Sequence, residues 1–208
     1  MYIPPAFREA DISTMHQIIH AAGLANFVTA TPEGPVCTPL PFYLEEDEGE
    51  QGVLYGHMAR ANDQWQQKMI GEGLALFSGP DAYISPSWYP NKRETGKDVP
   101  TWNYVAVHAY GPVEFFEERD RLLEVVSRLS DIHETGRPEP WAVSDAPIDY
   151  VNALLKGIVG LRMPIHRLEG KRKLSQNRNI ADRLGVRSGL SESIEQGDHA
   201  IAALIHTD

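Results

Sequence analysis

Met15, Ile18, Ile19 and Ala22 recur at helical spacing, with Asp11 placed to cap and Gly23 to stop the helix they predict. Short β-like runs follow. Residues 24–31 and 36–44 flank the turn Pro32-Glu33-Gly34-Pro35 and read as a hairpin. An acidic tip at 45–50 leads into a third strand at 53–58, residues 61–70 have a helical pattern, and further strands are expected at 74–78 and 82–85. A loop between Tyr89 and Pro100 carries Lys92, Arg93 and Lys97. Residues 101–110 and 113–116 form a second candidate hairpin around Gly111-Pro112. From Glu117 the period changes: Leu122, Val125, Val126, Leu129 and Ile132 make an apolar helical stripe ending near Gly136. Ser144 or Asp145 can cap another helix reaching Leu155, and 158–168 reads as a late strand. The chain from Ser175 reads as two short helices broken at Gly185 and Gly189.

Six or more short strands at close spacing, with helices outside them, predict a small barrel or curled sheet. Turns of two to five residues favour antiparallel pairing, because parallel strands need long crossovers. Neither G-x-G-x-x-G nor G-x-x-x-x-G-K-[ST] occurs, so the ordinary dinucleotide and triphosphate cradles have no signal.

Composition narrows the class. The chain has 208 residues and a net charge of −10, enough length for one large domain or one with a helical appendage. Its apolar runs fall short of the roughly 18–20 residues a membrane span needs. Early prolines and charges differ from a signal peptide, and the single cysteine, Cys37, allows no internal disulfide. A cytoplasmic protein is expected. The charge is uneven: residues 162–187 hold eight basic and two acidic side chains, a local +6, and leave −16 on the remainder. Such a segment is either a solvated face or a localised anion site.

His16 and His20 stand four apart, but Gln17-Ile18-Ile19 lies between them where H-E-x-x-H needs a glutamate, and no third ligand is obvious. No metal site is expected. Ser85-Pro86-Ser87 lacks the G-x-S-x-G frame, Cys37 reads as a packed strand residue, and no catalytic residue can be assigned. Three segments are richer in polar and aromatic groups than strand ends require. In Gly56–Trp65 a strand passes into a helix, where free N–H groups and Arg60 suit a phosphate, or where Arg60 simply faces solvent beside an N-cap. Residues 83–89 with 100–104 can line a pocket for a flat heteroaromatic ligand or form a β core with aromatic cross-strand pairs. Residues 169–177 are the densest part of the basic segment.

Met1-Tyr2 with Pro4 and Phe7, GHMARANDQW at 56–65, SGPDAYISPSWY at 78–89, VPTWNY at 99–104 with Val107-His108-Ala109-Tyr110-Gly111, and EGKRKLSQNR at 169–178 lie in collinear order. Together they resemble the PaiB family, described as FMN-binding negative transcriptional regulators, from residue 1 to about residue 190. The resemblance implies a mainly β fold with peripheral helices: an antiparallel Greek-key split β-barrel of the FMN-binding type over 1–190. Residues 191–208 carry none of these motifs and read as a helical tail. The resemblance also implies a homodimer with FMN at the subunit interface. The phosphate would fall to Arg60 and Asn62, with Lys173, Ser175 and Gln176 as partners. Trp88, Thr101, Trp102 and Asn103 would meet the isoalloxazine edge or form the opposing subunit's wall, and His57 would orient the phosphate or cap the helix after it. Regulation is what the family description implies; no helix-turn-helix with a basic recognition helix is visible, and a −16 body repels DNA. Flavin reductases and oxidases share the fold, so an oxidoreductase stays open. So do a haem barrel, with His57, His108 or His166 as axial ligand, and a structural dimer without cofactor.

Overall fold

A computed structural model describes residues 1–90, 96 and 98–207; Lys92, Arg93 and Lys97 lie outside the described residues. In chain order the strands are β1 (Arg8–Glu9), β2 (Leu24–Thr31), β3 (Gly34–Glu45), β4 (Val53–Ala59), β5 (Gly73–Ile84), β6 (Thr101–Gly111), β7 (Glu114–Phe116), β8 (Ile158–Pro164) and β9 (Arg167–Lys173). The described helices are α1 (Ile12–Ala22), α2 (Arg119–Glu134), α3 (Ile148–Leu155), α4 (Ile180–Ser191) and α5 (Gln196–Leu204). The chain divides into two compact units. The first gathers Met1–Met15, Ser78–Val107 and the chain from Glu169 onward; the second gathers His16–Phe77 and His108–Leu168.

In the second unit the strand order is β5-β2-β3-β4-β8-β7, with antiparallel registers throughout. The β2–β3 hairpin closes at Thr31↔Gly34, where the Thr31 hydroxyl donates to the Gly34 carbonyl at 2.9 Å. Alternation turns Ala25, Phe27, Thr29 and Thr31 inward, and Phe27, Phe42 and Phe77 meet edge to face at 6.1 and 6.2 Å. A second apolar cluster lies where α2 and α3 bring Leu122, Val125, Leu129, Val151 and Leu155 onto Tyr43 and Phe116. Each such side chain contributes about 1.5–3 kcal/mol on burial, against about 0–1 kcal/mol for an exposed ion pair. These two clusters, not the surface charges, hold the unit together.

In the first unit the order is β1-β9-β6-β5, with Arg8↔Lys171 and Glu9↔Gly170 aligned. Helices α4 and α5 bury Val186, Leu190 and Ile201 completely. The cap of α1 is local, as expected: the Asp11 carboxylate accepts from the Thr14 N–H at 2.8 Å and its hydroxyl at 2.7 Å. Gly23, at φ +61°, ends the helix.

Five expectations from the sequence are corrected. Residues 61–70 hold only a 3-10 turn, Asp63–Gln66, because the Asn62 side chain accepts from the Gln64 N–H and the Gln64 amide turns inward to Phe27, Thr29 and Val36. The two strands expected within 74–85 are one, β5, which ends at Ile84. Its buried positions change from odd to even numbers across Gly79-Pro80, so that pair shifts the strand's phase without ending it. β7 pairs with β8, not β6, because Gly160 leaves room for Phe116 to lie over it: a Cβ there would come within 2.3 Å of the ring. Residues 158–168 are divided after Pro164 into β8 and the start of β9. Finally, α4 runs straight through Gly185 and Gly189, and the break falls after Ser191. Both glycines lie under Trp88; a Cβ at Gly185 would be 2.1 Å from its carbonyl oxygen, and one at Gly189 2.4 Å from its ring.

Helix propensity alone would make Gly185→Ala stabilising by about 1 kcal/mol. The close approach of the Trp88 backbone reverses the sign, and a loss of about 1–3 kcal/mol is expected from overpacking. Urea denaturation of the variant beside the parent protein measures it; a gain would show that Trp88 does not clasp α4.

Candidate functional site

His57 lies near the end of β4, opposite Gly160 on β8. Its ring reaches an apolar cleft of about 610 Å3, walled by Val126, Trp141, Tyr150, Val151 and Leu154. The buried Nδ1 atom has no hydrogen-bond partner among the described residues. Burial lowers the imidazole pKa below its ordinary 6.5, because the charged form loses solvation. A single imidazole in the wall of an apolar cleft is the kind of polar group that can orient a flat ligand.

The Arg60 fork is occupied by protein groups. It donates from Nε to the Lys156 carbonyl at 2.7 Å and from Nη2 to the Ile158 carbonyl at 3.2 Å, and Nη1 pairs with Glu117. Arg60 also lines a second cleft, of about 410 Å3, with Glu117, Arg119, Asn152, Leu155 and Lys156. Leu155 lines the His57 cleft as well, so the two adjoin. Arg119, which opens α2, and Lys156, which follows α3, were missed in the sequence; helix packing brings them to Arg60, and no motif spans them. Asn62 faces neither cleft. Its side chain caps the 3-10 turn and donates to the Thr38 hydroxyl at 2.9 Å. Gln64, fully buried, is the centre of that network and is readable only as one letter of the 56–65 motif.

In the first unit, six of the seven remaining sequence candidates come together where β9 ends beside the start of β6. Lys173 Nζ donates to the Thr101 hydroxyl and, at 2.6 Å, to the Trp102 carbonyl. Asn103 and Ser175 are buried and hydrogen-bonded at 3.0 Å. Gln176 folds back, accepting from the Leu174 N–H at 2.7 Å and donating to the Arg172 carbonyl. Ser175 sits at φ +64°, in the left-handed region. The Lys173 pKa is lowered, first by burial and then by the charge of Lys171. Lys171, unassigned from sequence although it lies in the KRKLSQN run, is buried, with Nζ 4.9 Å from the Tyr104 ring centre. Among the described residues no carboxylate pairs with either lysine. The Trp102 ring is half-exposed and meets Tyr83 edge-on at 6.0 Å. Trp88, the seventh candidate, packs on α4 instead.

A mainly β fold with this strand order defines the flavin-binding split-barrel class. The flavocytochrome Anf3 from Azotobacter vinelandii has the same fold, with a TM-score of 0.56 at 17% identity over 80% of this chain and 69% of its own. A family model described as "Putative FMN-binding domain" matches residues 1–167. An uncharacterized protein of Emericella nidulans is 35% identical over 99% of this chain and 96% of its own length. "Protease synthase and sporulation protein PAI 2" of Bacillus subtilis is 33% identical over 89% of this chain and 87% of its own. The chain belongs to the PaiB family of FMN-binding split-barrel proteins, and FMN is its cofactor. The matched span holds His57, Arg60 and the 101–103 segment, and ends before Lys173, Ser175 and Gln176.

The residues fit such a group: an apolar cleft with one orphaned imidazole nitrogen adjoins a cleft with three cations. Because the His57 pKa is lower folded than unfolded, the unfolded chain binds the extra proton first on acidification. The stability tied to neutral His57 is fully present above pH 6.5 and is lost as the pH falls from there through the lowered folded value. Thermal unfolding at pH 7.5 and 5.5 should show a larger acid-induced drop for the parent than for His57→Gln. Equal drops would mean that the imidazole is not buried.

Proposed function

We propose that FMN lies with its isoalloxazine in the His57 cleft and its phosphate in the cleft of Arg60, Arg119 and Lys156. The observation that carries this reading is the unpartnered Nδ1 of His57 beside a cluster of three cations. Trp141 and Tyr150 would flank the ring system, and His57, kept neutral by burial, would accept from or donate to its polar edge. Arg60 would exchange Glu117 for phosphate, trading one charge-assisted contact for another. When bound, FMN supplies reversible redox chemistry, while the protein supplies position and electrostatics.

In this reading the chain is a cytoplasmic homodimer and a negative regulator of transcription that acts through flavin occupancy or a protein partner. The charge of −10 argues against a DNA-reading face. The second helix of the α4–α5 pair carries Asp198 in its first turn and no lysine or arginine, contrary to a recognition helix. A single cysteine, exposed, suits a reducing compartment, and no helix among the described residues is long and apolar enough to cross a membrane. A second reading, a flavin- or haem-dependent oxidoreductase, is favoured by the same His57 nitrogen, which can also meet an iron; Anf3 is a flavocytochrome.

Titrating apo-protein with FMN and with riboflavin tests the phosphate seat. Arg119→Ala and Lys156→Ala should each weaken FMN by about tenfold, from loss of a contact to a charged group, and leave riboflavin unchanged. His57→Ala should weaken both. Unaltered FMN affinity in Arg119→Ala and Lys156→Ala, with a loss in Lys173→Ala, would move the phosphate to the β9 lysines. The absorption spectrum of the loaded protein separates flavin from haem, rapid NADPH oxidation would favour the oxidoreductase, and light scattering should give twice 23.2 kDa.

A further inference from the structure

A cavity of about 830 Å3 opens beside α2 in the second unit and shares no lining residue with the clefts of His57 and Arg60. Five carboxylates and three guanidinium groups line it. The cations are already satisfied. Arg128 pairs with Glu45 at 2.7 Å; Arg162 pairs with Glu48 and donates to the Tyr55 hydroxyl at 3.0 Å; Arg121 pairs with Glu114 at 2.7 Å and covers the Phe116 ring. Two carboxylates, Asp47 and Glu124, have no cationic partner among the described residues. The cavity is therefore negative where it is open.

Tyr43 adds an independent observation. It is only 6% exposed, stacks on Tyr55 at 5.3 Å, and lines the cavity, yet its hydroxyl has no hydrogen-bond partner among the described residues. Burial first, then the charges of Glu124 and Glu45, raise its pKa, so the group stays neutral and its oxygen lies in a negative field.

We infer that this cavity binds a small organic cation carrying a primary ammonium group. An ammonium offers three N–H donors, and the open acceptors are the Tyr43 oxygen and the Glu124 and Asp47 carboxylates. An anion is excluded by the sign of the field. A hard metal ion asks for six or more oxygens, whereas three of the five carboxylates are held by arginines. The apolar body of the ligand lies against Val125 and the edge of Phe116.

Calorimetric titration of the flavin-loaded protein with benzylamine at pH 7, beside the neutral isostere benzyl alcohol, tests the site. Benzylamine should bind saturably and the alcohol should not. Tyr43→Phe should weaken the amine by about tenfold, from loss of a hydrogen bond to a charged group, and Glu124→Gln by about fivefold, as for an exposed ion pair. No saturation, equal affinity for the alcohol, or unchanged affinity in both variants would overturn the inference. Glu124 is exposed on α2, so its variant keeps the fold, and the amine–alcohol comparison needs no variant. Flavin content, read from the visible spectrum, stays constant in every arm, which separates this site from the FMN seat.

Discussion

Because β4 pairs with β8 from Val53↔Pro164 to Ala59↔Ile158, Tyr55 and His57 must emerge on one face of the sheet. A slip of one residue would send both into the barrel side and bring Leu54, Gly56 and Met58 out. The register also fixes what each side chain meets. Tyr55 stands opposite Arg162, whose Nε donates to its hydroxyl, whereas His57 stands opposite Gly160, which has no side chain to offer. Phe116 takes the space above Gly160, so the His57 ring is left with an apolar surround and an unmet nitrogen. One pairing therefore yields a satisfied polar cluster at one step along the strand and an unsatisfied imidazole at the next. Helices α2 and α3 complete both by burying their apolar stripes on that same face.

The charge pattern changes meaning once partners are known. The eight basic residues at 162–187 read from sequence as one local excess. Arg162 belongs to the Glu48–Tyr55 group, Arg172 pairs with Glu9 at 3.3 Å, and Arg178 pairs with Asp98 at 2.7 Å. Arg183 and Arg187 reach the His206 carbonyl and the Thr207 hydroxyl. Among the described residues Lys171 and Lys173 meet no carboxylate and are shielded together beside Tyr104, and a shielded charge is worth more to an anion than a solvated one. A second cationic group, Arg60 with Arg119 and Lys156, lies outside the 162–187 window altogether.

What the sequence made legible was what depends on neighbours in the chain. The α1 cap at Asp11, the Thr31–Gly34 hairpin and the apolar stripe of α2 are set within a few residues, and each was readable. Residues 61–70, the β7 partner and the course of α4 were not, because Gln64, Phe116 and Trp88 act across long sequence separations. The same division holds for the candidate site. His57, Arg60, the 101–103 segment and 173–176 stood out as motifs, but Arg119 and Lys156 flank helices with no shared pattern, and only packing makes them neighbours of Arg60.

Ser175 shows how a motif residue can matter without offering a free group. A non-glycine residue at φ +64° carries backbone strain, a cost of about 1–3 kcal/mol that persists only where its surroundings over-determine it. Here they do: the buried Asn103 amide binds the Ser175 hydroxyl, and Gln176 bonds the backbone on either side of Lys173, at Arg172 and Leu174. Glycine would relieve the strain but leave the Asn103 amide buried without its partner, a comparable loss. Serine is thus the residue that both turns the chain and satisfies the strand beneath it, and the turn holds the Lys173 ammonium at the Trp102 carbonyl. The basic motif works as a positioned cation on a strained turn, which a count of charges along the chain could not reveal.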